Sequence, residues 1–437
     1  MVPNRGITTS SRSEATRMTS TGVPIRAWVV TGGGMTINLC LGILYAWSVW
    51  KANLVAPKGV EPGSPMSGLN QGWVYLSDSQ ATWAYAICGF TFALFMVPGG
   101  RLQDRFGPRV GATLAGVCLG IGCWVAGTLK SYPGLVLGFG VLGGIGMGLG
   151  YAAATPAAVR WFGPHRRGLI AGLVVAGYGG AAIYIAPLAK GLIADSGISG
   201  SFFWLGALFA AVIVVAGQFL KMPPADYLPP ATSGTDKPHF RVAKDRTAKE
   251  MLGAWQYFAL VFLFIASAQA GLLVIANAAL LLKETSAEAA AYAWMLASFG
   301  GLINASGRIG TGFYSDAIGR TNALALNGLA AAVCLFLLPT VIASGNVVLL
   351  FVMVGVAFWQ YGGTLSLMPA WTADFFGAKN LGLNYGLVFL GWGIAFFVPQ
   401  LAAELKDVTG RRDESFYLSG ALLLLAIAVS RFVKRPA

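Results

Sequence analysis

Charge is what this chain lacks most. Asp and Glu number 17 and Lys and Arg 30 among 437 residues, so charged residues make up 11%, against about 25% in a soluble globular domain. Histidine is almost absent. His165 and His239 lie far apart in polar stretches, which leaves no imidazole pair for a metal centre and no His-based triad. The five cysteines, Cys40, Cys88, Cys118, Cys123 and Cys334, fall in apolar stretches with no Cys-x-x-Cys spacing and an odd total. Buried free thiols are expected, not disulfides or metal ligands. No catalytic constellation is left, so an enzyme is not expected and no cofactor is implied.

What is present is apolar length. Hydrophobic residues make up 56% and the mean hydropathy is +0.66, which describes a polytopic, all-α membrane protein. Twelve apolar segments stand near the roughly 20 residues a span requires: 27–50, 78–100, 108–129, 133–158, 167–189, 202–220, 254–282, 290–313, 321–343, 346–370, 380–402 and 415–433. With both termini in the cytosol, inner loops hold 21 Lys and Arg and outer loops 8. That bias sets the orientation and explains the +13 net charge without a nucleic-acid partner. The expected location is the cytoplasmic membrane, multi-pass, with the lipid bilayer as surround and a monomer as the unit. Residues 1–25 are polar and read as a cytosolic tail. A bundle over 26–220, a Pro-rich and charged linker over 221–252 and a second bundle over 253–437 follow. The first outer loop, Lys51 to Ser77, is long and reads as a tolerated insertion, with a lid as the other possibility.

The halves repeat. Gly100, Asp104 and Gly107 recur as Gly312, Asp316 and Gly319, and Phe162, Gly163, Gly168, Leu169 and Gly172 recur as Phe376, Gly377, Gly382, Leu383 and Gly386. Pro156 and Pro187 match Pro369 and Pro399. Helix breakers at corresponding positions in two halves are a sign of transporters built from repeats. The run Gly143 to Gly150 sits inside a span without the lysine of a phosphate loop, and reads as close helix packing.

One full charge lies within a span. Arg308 stands in the segment from Ala290 to Phe313 among Gly300, Gly301, Ala305, Ser306, Gly307 and Gly310. Placing a guanidinium at membrane depth costs about 2.5–3.5 kcal/mol on insertion scales. The position therefore marks an anion site, the plainer alternative being a side chain that snorkels to headgroups. Asp78, Asp104, Asp316 and Asp374 all fall near span ends, which leaves Arg308 as the charge expected in the cavity.

The stretch Gly99 to Arg109, with Arg105 and Gly107, resembles the loop 2–3 motif of the major facilitator superfamily, and Gly310 to Arg320 resembles its second-half copy. Tyr45-Ala46-Trp47-Ser48, Arg160-Trp161-Phe162, Arg167-Gly168-Leu169, Ala176 to Gly179, Asn304 to Arg320 and Asn384-Tyr385-Gly386 resemble the oxalate/formate antiporter branch, close to the monocarboxylate transporters. The resemblance implies twelve helices in two pseudo-symmetric six-helix bundles and a carrier for small carboxylates, with Arg308 holding the carboxylate. It also implies that Tyr45, Tyr151 and Tyr178 match cavity aromatics of the oxalate carrier, where Tyr361 replaces a tryptophan and Leu365 a tyrosine. Phe389 and Trp392 are further candidates, Trp392 standing where that carrier has a lysine. One cation in place of two favours a monoanion. Asn304 stands where proton-coupled monocarboxylate transporters often carry an aspartate. A coupled proton would then travel with the substrate or on a span-end residue such as Asp78. Asp104 and Asp316 are expected to cap helices or pair with basic loop residues and hold the inward gate shut without touching substrate, with Arg105 and Arg320 as further residues of the gating motif. The expected function is proton-coupled symport of a lactate- or pyruvate-class monocarboxylate by alternating access. Carboxylate antiport and a non-transporting receptor are the alternatives.

Overall fold

A computed structural model describes residues 23–162, 164–224, 227, 245–377 and 380–436. The expected tail, apart from residues 23–25, and most of the expected linker lie outside the described residues. Among the described residues the regular structure is helical, with two isolated β-bridges, Val55 to Leu76 and Pro65 to Val74. Helices are the natural solution for such a chain, because lipid offers the backbone no hydrogen bonds.

Ten helical stretches are long and apolar enough to cross a membrane. They are α1 (Ile25–Leu54), α2 (Asp78–Phe106), α3 (Pro108–Leu129), α4 (Tyr132–Val159), the double stretch Leu169–Phe219, α7 (Trp255–Thr285), α9 (Arg320–Ala343), α10 (Val347–Phe376), α11 (Leu383–Thr409) and α12 (Asp413–Ser430). In the double stretch Gly197 adopts φ +71° and breaks the helix, so α5 covers 164–196 and α6 covers 198–219. The twelfth, α8 (Ala293–Ile318), has its hydropathy diluted by Arg308, Asn304 and a series of Gly and Ser. Several ends run past expectation, among them α2 to Phe106, α8 to Ile318, α10 to Phe376 and α11, bent at Phe396, to Thr409.

The repeat is visible in the joints. Gly107 (φ +83°) ends α2 and Gly319 (φ +87°) ends α8, each followed at once by the next helix. A left-handed φ at this sharp corner is a position for glycine. The glycine run of α4 does the packing expected of it. A Cβ on Gly144 or Gly148 would lie 2.7 Å or 2.6 Å from the Cys88 or Phe92 carbonyl oxygen of α2, and one on Gly146 2.7 Å from the Ala115 carbonyl oxygen of α3. Three backbones therefore meet without intervening side chains.

The two bundles face each other through α1 against α7, α2 against α11 and α5 against α8. The long loop 55–77 is no loose insertion. Trp73 is buried and its indole donates to Ser199 Oγ at 2.9 Å, while Asn70 Oδ1 accepts from the Ile198 N–H at 2.8 Å. The loop caps the α5–α6 corner of its own bundle.

Candidate functional site

Arg308 points into the seam between the bundles. It is 6% exposed, and Asn304, one turn earlier on α8, is fully buried. Its guanidinium donates from Nη1 to the Val175 carbonyl at 3.2 Å, from Nη2 to the Tyr45 hydroxyl at 3.2 Å and from Nε to Asn304 Oδ1 at 3.4 Å. Among the described residues no carboxylate pairs with it. The snorkelling alternative therefore fails, since the head sits inside the protein and not at a lipid interface. Small residues make this room. A Cβ on Gly179 of α5 would lie 3.0 Å from Arg308 Nε, and one on Gly362 of α10 would lie 2.2 Å from the Asn304 carbonyl oxygen.

Tyr45 reaches Arg308 because α1 changes pitch there. Residues Gly42–Ala46 form a 3-10 segment inside the span, where Gly42 lets α1 press on α5: a Cβ would lie 2.2 Å from Ala181 Cβ. The Tyr45 hydroxyl meets that of Tyr361 at 2.7 Å, and the Trp392 indole donates to Tyr361 at 2.8 Å. The chain from Arg308 through Tyr45 and Tyr361 to Trp392 thus crosses between bundles, with an obligate donor at each end.

Aromatic rings close the rest. Tyr178 lies edge-on to Tyr45 with centroids 5.0 Å apart and to Tyr151 at 5.6 Å, and Phe389 stacks on Trp392 at 4.7 Å and on Tyr151 at 6.2 Å. The eight residues named from sequence, Arg308, Asn304, Tyr45, Tyr151, Tyr178, Tyr361, Phe389 and Trp392, are therefore gathered in one place. Phe92 of α2 is a central member that sequence reasoning missed, 5.0 Å from Trp392 and 5.6 Å from Tyr178. A phenylalanine in an apolar span carries no signal of this. Tyr385, 5.6 Å from Phe389, was legible only as part of a quoted motif.

The motif residues occupy the end of the bundles where α2 turns into α3 and α8 into α9. Asp104 pairs with Arg160 at 3.2 Å, and Arg320 pairs with Asp316 at 2.5 Å and with Asp374 at 3.2 Å. Arg105 lies over the Phe106 ring at 5.1 Å, and among the described residues no acid pairs with it. A Cβ on Gly100 would meet nothing within 4 Å. Both aspartates find basic partners as expected, but each pair joins helices of its own bundle and none ties one bundle to the other.

The opposite end does carry such a tie, and it corrects the expectation of a single buried charge. Lys51, placed by sequence in a loop, is in α1 and fully buried. Its Nζ donates to Asp78 Oδ1 at 2.6 Å, Thr82 Oγ1 at 2.7 Å and Asn277 Oδ1 at 2.8 Å. Arg412, also assigned to a loop, is 8% exposed and bonds both Asp78 and Asn277, while Lys406 reaches Asp78 Oδ2 at 3.0 Å. Asp407 of α11 accepts the Asp78 and Ser79 N–H groups at 3.2 and 2.8 Å, capping α2 across the seam. The signal was an acid at the first turn of a span, opposite bases at the ends of other spans. Only the fold shows that these ends converge.

Residues 28–399 match the family model described as Major Facilitator Superfamily. The oxalate:formate antiporter of Oxalobacter formigenes is 27% identical over 90% of this chain and 87% of its own. Apicoplast pyruvate carrier 1 of Toxoplasma gondii is 26% identical over 82% of this chain and 79% of its own. Among solved structures, a D-xylose-proton symporter superposes with a TM-score of 0.68 at 17% identity, covering 94% of this chain and 97% of that one. At that identity the likeness concerns the fold alone.

Proposed function

The chain belongs to the major facilitator superfamily, and from that premise we propose that it carries small monocarboxylates of the lactate or pyruvate class across the cytoplasmic membrane. Both termini lie in the cytosol in this reading, and bundles 26–220 and 253–437 rock about the Arg308 seam. The observation that carries the proposal is the buried guanidinium whose partners among the described residues are neutral. A carboxylate docking there makes a bidentate, charge-neutral pair, for which arginine suits better than lysine. The substrate is enclosed by Tyr45, Tyr151, Tyr178, Tyr361, Phe389 and Trp392, whose rings offer apolar faces and few polar tips, as small-ligand sites do. Trp392 supports a monoanion, because an indole cannot neutralise a second carboxylate. The likeness to an oxalate:formate antiporter and to a pyruvate carrier supports the carboxylate class.

Gly100, Asp104, Arg105, Gly107, Asp316, Gly319 and Arg320 form the inner hinges in this proposal. They stiffen each bundle, so that it moves as one body. Proton symport is the favoured coupling: an empty carrier must return an unpaired Arg308, and a proton entering with the substrate anion makes the whole transport cycle electroneutral. Exchange of one carboxylate for another is the second reading, favoured by the likeness to the antiporter. Proteoliposomes separate the two. Symport predicts uptake of radiolabelled lactate or pyruvate driven by an inward pH gradient into empty vesicles. Uptake that requires internal carboxylate and ignores the gradient would establish exchange. Absence of both would end the carboxylate proposal.

A further inference from the structure

Tyr85 of α2 is fully buried, and its hydroxyl has no hydrogen-bond partner among the described residues. Leaving a buried hydroxyl unsatisfied forfeits the hydrogen bonds it made with water. Such a group in a native protein calls for an explanation, and a ligand that supplies the missing partner is one.

Its position argues for a ligand. Asp78, Thr82, Tyr85, Gly89 and Phe92 follow one another four and three residues apart, so they line one face of α2. The first two members bind Lys51, and the last packs on Tyr178 and Trp392. Tyr85 stands between them. Its ring lies 4.9 Å from that of Phe396, which lies 4.6 Å from Trp392, the donor to Tyr361. Phe396 fills the notch left by Gly89, where a Cβ would fall 2.4 Å from the ring.

The proton inventory of the seam points the same way. Arg308 and Trp392 only donate. Tyr45 and Tyr361 between them share one bond, so these four groups together hold one hydroxyl proton without an acceptor among themselves. Tyr85 adds a further donor and acceptor. A bare aliphatic acid satisfies Arg308 and leaves Tyr85 unpaired. An acid with an oxygen on the carbon next to the carboxylate can satisfy both.

We infer that the Tyr85 hydroxyl binds the oxygen substituent on carbon 2 of the substrate, so that 2-oxo and 2-hydroxy monocarboxylates are preferred over unsubstituted acids of the same length. This rests on the carboxylate reading of Arg308 and sharpens it. Sites built to hydrogen-bond a substrate group discriminate strongly against analogues lacking it, because their own polar groups are then left unpaired.

The test is uptake of pyruvate, lactate and propionate by purified carrier in proteoliposomes, comparing wild type with Tyr85→Phe, which removes only the hydroxyl. Wild type should take up pyruvate or lactate at least about tenfold more efficiently than propionate, roughly the discrimination of one good hydrogen bond. In the variant the ratio should fall toward one with propionate uptake retained. An unchanged ratio, or equal loss for all three acids, overturns the role of Tyr85 while leaving Arg308 as anchor. Wild type that carries none of the three overturns the parent reading, and this one with it.

Discussion

At the scale of single residues, the decisive contrast is between a fork and a point charge. Arg308 spreads its donors over Val175, Tyr45 and Asn304 from two helices besides its own. A lysine would keep the charge and lose that geometry. Arg308→Lys is expected to lower uptake efficiency at least about tenfold, near the 1.4 kcal/mol that one charge-assisted bond can supply. Radiotracer uptake at matched expression checks this, and wild-type rates would remove Arg308 from the site. Asn304 gives a second expectation. Its Oδ1 already faces Arg308 Nε at 3.4 Å, so Asn304→Asp places a carboxylate against the guanidinium. The new pair competes with substrate while ionised and releases Arg308 once protonated. At fixed substrate-anion concentration, uptake by the variant should therefore depend more steeply on acidity than wild type, and an unchanged pH profile would refute the proposed competition. Arg308 itself was legible because a lone charge in a span is costly. Phe92 was not, because what makes it part of the site is which rings it meets.

At the scale of helices, glycine position decides how closely neighbours approach. Gly148 and Gly100 make a controlled pair. A Cβ at Gly148 would meet the Phe92 carbonyl at 2.6 Å and Phe95 Cβ at 2.9 Å, whereas at Gly100 it meets open space. Gly148→Val is expected to destabilise the N-terminal bundle by about 1–3 kcal/mol, the usual range for overpacking, seen as a lower thermal unfolding midpoint in detergent. Gly100→Ala should leave that midpoint unchanged or slightly higher, since alanine is the better helix former. A loss of transport in Gly100→Ala with normal stability would then belong to hinge motion. Apolar length made the helices readable, and the repeated Gly107 and Gly319 located their matching corners. The bend at Phe396 sits where Pro399, one of the repeated helix breakers, has no N–H for the Ala395 carbonyl, whereas the 3-10 segment Gly42–Ala46 was not readable. That segment arises where α1 presses on α5 at Gly42, and no local residue pattern announces it.

At the scale of the whole molecule, the two ends of the seam are built differently. One end holds its ion pairs within each bundle, Asp104 with Arg160 and Arg320 with Asp316 and Asp374. The other stitches the bundles together through Asp78, which takes Lys51 from its own bundle and Lys406 and Arg412 from the partner bundle. Sequence put Asp78 near a span end and Lys51, Lys406 and Arg412 in outer loops, and could not show them converging, since Lys406 and Arg412 lie more than 300 residues from Asp78 along the chain. Asp78 holds the cluster together, because without its carboxylate Lys51 and Arg412 would face each other across the seam with Asn277 between them. Removing one partner of a buried ionic group costs about 3–5 kcal/mol, and here that cost falls on the closed arrangement. Parting the bundles relieves it by letting water reach both cations. Asp78→Asn should therefore shift the carrier toward an arrangement open at that end. The readout is a cysteine placed at Thr82, one turn deeper on α2 and now fully buried, reacted with a membrane-impermeant thiol reagent from that side. Labelling should be several-fold faster in the Asp78→Asn background than with Asp78 intact. Equal labelling in both would mean that the cluster is not what keeps this end shut.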